Sequence, residues 1–287
     1  FQTWKAENLV SRFAVKADYQ VRNTGRDDSQ LAMLKELEMS TEDQIILTKY
    51  CKDKDIEFLS SPFDMDAVHT IDKIYNCARI KVPSGEITNA PLLLEIARTG
   101  KPIILSTGMA TLDEIRVSLG VISFGYANSN DKPGLDHFQM AYNKNKGMLT
   151  NRVTLLHCTT EYPAPFNSVN LRAMDTMVAE FGLEVGYSDH TAGISVPVAA
   201  AALGAVMIEK HFTLDKTLPG PDHKASIEPR ELTAMVRSIR EIELSLGSKE
   251  KKPHEAELKN KPIARKSLVA GGAIRAGEEF TTNNINI

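Results

Sequence analysis

The sequence predicts a parallel α/β protein, a (β/α)8 TIM barrel from which the first βα unit is outstanding. Three observations predict it. Apolar, strand-like runs end near residues 59, 81, 105, 157, 187 and 209. Except across one insertion they are spaced by one βα unit, which implies parallel strands joined by right-handed crossovers. Each run carries a polar cluster just beyond its C-terminal end, where a barrel of this kind gathers its functional groups. No Gly-rich phosphate fingerprint follows any strand, which weighs against an open doubly wound sheet. Six full strands and a stub at Phe1 are counted, and the natural N-terminus is expected upstream.

Taken in order, residues 1–3 read as the tail of a strand and 4–38 as a polar excursion. Residues 18–30 read as loop, and Leu31, Leu34 and Leu37 recur at helical spacing. Thr41 and Gln44 suggest a capping box, with Ile46, Leu47, Tyr50 and Cys51 inward on the helix that follows. A strand is expected at 56–59, a helix at 64–75, a strand at 78–82, a helix at 91–98 and a strand at 102–105. Thr111 and Glu114 form a second capping box before Ile115, Leu119 and Ile122. The Asn- and Lys-rich stretch 125–151 reads as a surface insertion. Strands at 153–156, 183–187 and 205–208 then alternate with helices at 171–181 and 196–203. Residues 228–246 form the clearest helix, with Leu232, Met235, Val236, Ile239, Ile242 and Leu246 on one face. The expected organisation is a barrel over 1–247, a charged linker over 248–262 and a small piece over 263–287.

Bulk properties exclude several classes. The 287 residues are 42% hydrophobic and 25% charged, enough for one large barrel. Net charge is −3 with no basic block, so neither a nucleic-acid nor an anionic-membrane surface is indicated. No 18-residue apolar run exists. Cys51, Cys77 and Cys158 are widely spaced and make no disulfide framework, so a cytoplasmic location is expected.

The chemistry-bearing residues stand at strand ends. His190 follows one strand and His211 the next, with Asp189, Glu209 and Asp222 nearby. Neighbouring parallel strands would bring the two imidazoles together, a pair suited to a divalent metal. Lys81 could bind phosphate, form a Schiff base, or be a solvated rim lysine. Glu86 follows a Ser-Gly turn, either as a general acid–base group or as a first-turn carboxylate. Ser61, Ser106, Thr160 and Ser188 are hydroxyls at four strand ends; converging with Lys81 and Ser84 they would cradle an anion, and singly each suits a cap. Tyr162 could reach a polar substrate or pack on the rim. These residues describe a barrel enzyme with a metal site and an anion site, and leave the reaction open.

The stretches FQTWKAENL, SQLAMLKELEMS, SSPFD, KVPSGEITNAPLL, PIILSTGMATLDEI, LLHCTTEYPAPF, GYSDHTAGI, IEKHFTLDKTLPGPDHKASIEP and IARKSLVA together resemble the sialic acid synthases, the N-acetylneuraminate and legionaminate synthases. The resemblance implies a barrel followed by a small antifreeze-like (SAF) domain, of which 263–287 would be the start, in a domain-swapped homodimer. It implies condensation of phosphoenolpyruvate with an N-acylated mannosamine-type sugar, release of phosphate, and a manganese or magnesium ion. His190 and His211 would hold the metal. Lys81, Ser84, Ser61, Ser106 and Ser188 would hold phosphoenolpyruvate, with Thr160 where some members have asparagine. Glu86 would be the acid–base group, and Gln2, Tyr162, Asp222 and Glu209 would hold the sugar. An acidic residue, a lysine and an SAF arginine of the family have no counterpart in the sequence. The alternatives are a lysine Schiff-base aldolase of a 2-keto acid, acting through Lys81, and an inactive sugar- or metal-binding barrel.

Overall fold

The computed structural model describes residues 1–26, 28–128 and 131–287. Asp27, in the stretch read as loop, and Ser129 and Asn130, in the stretch read as insertion, lie outside them. The chain divides into two compact units, Phe1–Ser245 and Leu246–Ile287.

In the first unit the strands are β1 (Gln2–Thr3), β2 (Ser61–Pro62), β3 (Ile80–Val82), β4 (Ile103–Ser106), β5 (Val153–Cys158), β6 (Glu184–Asp189) and β7 (Ile208–Lys210). β1 pairs with β2, and β3 to β7 form one sheet in sequence order. Every pairing is parallel. The helices are α1 (Ala6–Leu9), α2 (Asp18–Thr24), α3 (Gln30–Leu37), α4 (Thr41–Asp53), α5 (Met65–His69), α6 (Ala90–Arg98), α7 (Leu112–Tyr126), α8 (Leu135–Asn145), α9 (Ala173–Phe181), α10 (Ser195–Ala202) and α11 (Pro229–Leu246).

The period-2 alternation of a strand divides the residues between two faces. Ile80, Val82, Ile103, Leu105, Val153, Leu155, Val185 and Tyr187 belong to one apolar core with residues of α6, α7 and α9. The intervening residues, among them Lys81, Ser106, Cys158 and Ser188, are buried on the other face. That face is concave. Lys81 Nζ on β3 lies 3.2 Å from Glu209 Oε1 on β7. In a flat sheet two strands four spacings apart would stand about 19 Å from each other. Their contact requires a sheet that curls as a barrel wall does.

The structure corrects several local readings. Residues 18–24 are a helix: Gln20 Oε1 accepts from Ala17 N–H at its start (2.9 Å), and Gly25 ends it at φ 63°. Its polar sequence carries no apolar period, which is why it reads as loop. The cap of α4 is Ser40, whose hydroxyl accepts from Asp43 N–H; Gln44 is instead buried and accepts from Thr3 Oγ1 at 2.7 Å. Ile46 and Tyr50 face outward, 65% and 59% exposed. The second strand sits at Ser61–Pro62 rather than 56–59, because Ser61 N–H donates to the Phe1 carbonyl and Phe63 N–H to the Thr3 carbonyl, which sets its register against β1. The insertion holds α8, which buries Phe138, Ala141 and Tyr142. Gly120 of α7 permits this approach, since a Cβ there would meet the Phe138 carbonyl at 2.7 Å. On α11 only Met235 is fully buried, while Val236 and Leu246 remain open. The capping box at Thr111 and Glu114 is present as expected.

The second unit contains α12 (Glu255–Leu258), α13 (Lys261–Ala264) and an antiparallel pair, β8 (Val269–Ala270) with β9 (Ile285–Asn286). The stretch read as linker thus holds α12 and the start of α13. Among the described residues no helix is long and apolar enough to cross a membrane.

Candidate active site on the concave face

Two clusters occupy the C-terminal strand ends. The first is built on Lys81, which β3 points into the concave face, 5% exposed. Glu209 Oε1 accepts from Lys81 and from Ser188 Oγ, its register neighbour on β6, at 2.7 Å. Burial pushes the Glu209 carboxyl up, but the Lys81 charge and the Ser188 and Lys81 hydrogen bonds outweigh it and hold it below the usual range. Ser84 follows β3 in a 3₁₀ turn, Ser84–Glu86. Its hydroxyl accepts from Gly108 N–H at 3.0 Å and lies 3.1 Å from Cys158 Sγ. Gly108 comes so close that a Cβ would stand 2.4 Å from Thr160 Oγ1 and 2.8 Å from Ser84 Oγ. Among the described residues Ser106 Oγ and Thr160 Oγ1 are buried with no hydrogen-bond partner. An unmet buried hydroxyl costs about 1–3 kcal/mol, so these groups suit an acceptor-rich ligand.

The second cluster is aromatic and acidic. The His190 and His211 rings lie 5.4 Å apart, inclined at 63° to one another. Tyr162 stands 4.1 Å from His190 and 5.4 Å from His211, centroid to centroid. The Ala164 N–H to His190 carbonyl bond ties the Tyr162 turn to this strand end, and Ile227 N–H donates to the His211 carbonyl. His190 Nδ1 lies 2.6 Å from the Thr159 carbonyl. A carbonyl only accepts, so Nδ1 carries the proton and Nε2 keeps its lone pair in the neutral ring. Burial lowers His190 to about 4, and lowers His211 as well, with Lys210 and Lys81 adding to the effect against Glu209. Burial raises Asp222, whose Oδ2 lies 3.8 Å from His211 Nδ1 and whose Oδ1 is buried without a partner among the described residues.

Other expected residues are less central. Glu86 is half-buried and accepts from Asn89 Nδ2 at 2.7 Å. Gln2 and Ser61 are register partners on β1 and β2; Ser61 is buried and Gln2 exposed. His157 Nε2 meets the Val169 carbonyl at 2.7 Å, a bond that ties β5 to the segment before α9. A cavity of about 530 Å³ between the Thr107–Leu112 loop and α9 touches the first cluster only at Cys158.

Two supports lie behind these clusters. Asp189, expected beside the histidines, is instead fully buried on the helix side of β6. Its Oδ2 lies 2.5 Å from Lys210 Nζ, and its Oδ1 accepts from Thr191 N–H, Thr191 Oγ1 and Tyr187 OH. Asp189 and Lys210 are register partners, each one residue before a site histidine. Their place immediately before His190 and His211 was the available signal. The other support is α2, whose Tyr19 ring lies 5.0 Å from Tyr162. No sequence signal marked it, because its residues are polar and distant in the chain.

The donor set of the imidazole pair suits a metal. Two neutral rings, each with a free lone pair, fit a divalent cation. Among the described residues no group of three or more His, Cys, Asp and Glu is arranged to hold one. The protein would therefore supply two imidazoles and leave the other positions to water or substrate oxygens.

A curled parallel sheet with its polar groups at the C-terminal strand ends defines an α/β barrel type of enzyme scaffold. The chain belongs to the NeuB family, which it matches over residues 1–251. It is 47% identical over 285 residues to an N,N'-diacetyllegionaminic acid synthase of Campylobacter jejuni subsp. jejuni serotype O:2, covering 99% of this chain and 79% of that one. It is 42% identical to the N,N'-diacetyllegionaminic acid synthase of Legionella pneumophila subsp. pneumophila, covering 99% and 74%. The crystal structure of an N-acetylneuraminic acid (sialic acid) synthetase from Leptospira borgpetersenii serovar Hardjo-bovis, in complex with citrate, superposes with a TM-score of 0.70 at 28% identity, covering 93% and 81%.

Proposed function

We propose that this protein condenses phosphoenolpyruvate with an N-acylated mannosamine-type sugar to form a sialic acid, N-acetylneuraminate or legionaminate, and releases phosphate. The observation that carries the reading is the joint placement of two clusters on one concave face. A lysine with unspent hydroxyls suits an anion, and a neutral imidazole pair beside Tyr162 and Asp222 suits a polar sugar. The relatives are named as synthases of sialic-acid-type sugars, which supports this reading over a Schiff-base aldolase or an inactive barrel.

In the proposed roles Lys81, Ser84, Ser61, Ser106, Ser188 and Thr160 hold the phosphate and carboxylate of phosphoenolpyruvate. Ser106 and Thr160 would then gain the partners they lack. Gln2, Tyr162, Asp222 and Glu209 hold the open-chain sugar. The methylene carbon of phosphoenolpyruvate forms the new carbon–carbon bond to the aldehyde carbon, and the aldehyde oxygen becomes a hydroxyl by taking a proton, with Glu86 as the acid–base group. Water adds at the neighbouring carbon that carries the phosphate ester, its protons are given up, the carbon–oxygen bond to phosphate breaks there, and a 2-keto acid remains. A manganese or magnesium ion bound by His190 and His211 would supply Lewis acidity toward the aldehyde oxygen. We further propose a cytoplasmic, domain-swapped homodimer, with residues 263–287 at the start of an SAF domain.

Full-length protein with phosphoenolpyruvate, manganese and a panel of N-acylmannosamines should release phosphate in step with sugar consumption. Absence of release with every sugar would refute the assignment.

A further inference from the structure

Helix α2 reaches the site from far away in sequence. Asn23 Nδ2 lies 2.6 Å from the Pro221 carbonyl and 3.2 Å from the Tyr162 carbonyl. An amide –NH₂ has two hydrogens, so both bonds are made by one group. These carbonyls belong to the two separate segments that deliver Tyr162 and Asp222. The neighbouring Arg22 pairs with Glu161 at 3.3 Å across the surface. At this same C-terminal end α2 is fastened by Lys16, whose side chain is 1% exposed and whose ammonium donates to the Arg26 carbonyl and Thr24 Oγ1 and pairs with Asp28.

Tyr19 extends the ring stack outward. Tyr162 lies between His190, 4.1 Å away, and Tyr19, 5.0 Å away. Tyr19 is partly buried, and burial with the nearby Asp222 charge raises its hydroxyl to about 12, so it stays a neutral donor. No contact of Tyr19 or Asn23 reaches toward Lys81 among the described hydrogen bonds and ring pairs. We propose that α2 forms the outer wall of the sugar subsite: Asn23 is a positioning residue that ties the Tyr162 and Asp222 segments together, and Tyr19 sets the preference among acylated sugars. This rests on the proposed reaction and names a part of the site that the sequence reading left out.

The full-length protein tests it with Asn23→Asp, Tyr19→Ala and Tyr19→Phe. Asn23→Asp keeps the shape and replaces the donor with an acceptor facing two carbonyls. Its KM for the sugar should rise about tenfold while KM for phosphoenolpyruvate stays put, the scale of one or two lost hydrogen bonds. Tyr19→Ala should alter the ranking of kcat/KM across N-acylmannosamines of increasing acyl size, and Tyr19→Phe, which keeps the ring, should preserve it. Unchanged sugar KM, or equal rises in both KM values, would overturn the proposal. Hydrogen exchange without substrate gives a separate readout: segments 160–164 and 220–226 should exchange faster in Asn23→Asp than in wild type, and equal exchange would overturn the tie. If wild-type protein released no phosphate, the reaction assignment would fail and the exchange comparison would still decide the role of Asn23.

Discussion

At Gly108 the main chain itself is a wall of the anion cradle. Its N–H donates to Ser84 Oγ, and the space a side chain would need is filled by Thr160, Cys158 and Ser84. Gly108→Ala should therefore push a methyl into the cradle. Three side chains would have to move, and the damage should fall on phosphoenolpyruvate, with its KM raised tenfold or more while the sugar KM changes little. Steady-state kinetics with each substrate varied would check this, and a melting curve would show whether the fold is kept. The histidines were readable because each follows an apolar strand, and parallel neighbours end on the same side. Gly108 carries no such local signal. Its role depends on residues from β3 and the β5 loop that no local pattern brings together. The Asp189–Lys210 pair was hidden for a related reason: acids and lysines at strand ends read as payload, whereas these two turn to the helix side.

Among the elements, legibility follows the strength of the local signal. The helix α7 has a reciprocal cap at Thr111 and Glu114 and a continuous apolar period, and it stands where expected. By contrast α8 presents two buried aromatic residues among Asn and Lys, and α2 presents none, so packing rather than pattern makes them helices. The segment after α5 shows what packing adds. It continues as a π-helical turn over Thr70–Ile74, and Lys101, just before β4, clasps it. Lys101 Nζ lies 3.3 Å from Asp72 Oδ1 and 2.7 Å from the Cys77 carbonyl. Burial pushes the Asp72 carboxyl up, yet bonds from Lys73 and Lys101 outweigh it and hold it below the usual value of 3.8. A depressed carboxylate stabilises the fold above its unfolded pKa, and that contribution is lost as pH falls through its folded pKa. Lys101→Met should cost about 1–2 kcal/mol at pH 7. The difference from wild type should narrow as the pH drops from about 5 to about 2, leaving the part owed to the Cys77 carbonyl. Urea denaturation of both proteins across that range measures it, and a pH-independent difference would contradict the clasp.

For the molecule as a whole, the site exists only when the sheet is curled. Lys81 and Glu209 meet across the concave face, and His190 meets His211 through the pairing of β6 with β7. An unfolded chain separates all four, so a cation that needs both imidazoles binds the native state alone. Its binding energy then appears as stability. Manganese at a hundred times its dissociation constant should raise the unfolding free energy by about 2.7 kcal/mol, and a chelator should reverse the gain. His190→Ala and His211→Ala should lose this increment, since one imidazole cannot reproduce a two-ring site. Each variant should keep the secondary structure of wild type, because His190 and His211 are held by main-chain bonds at Ala164 and Ile227 that the substitutions leave in place. Equal stabilisation of wild type and both variants by manganese would place the cation away from the imidazole pair, and would remove the metal from the proposed chemistry while leaving the anion cradle intact.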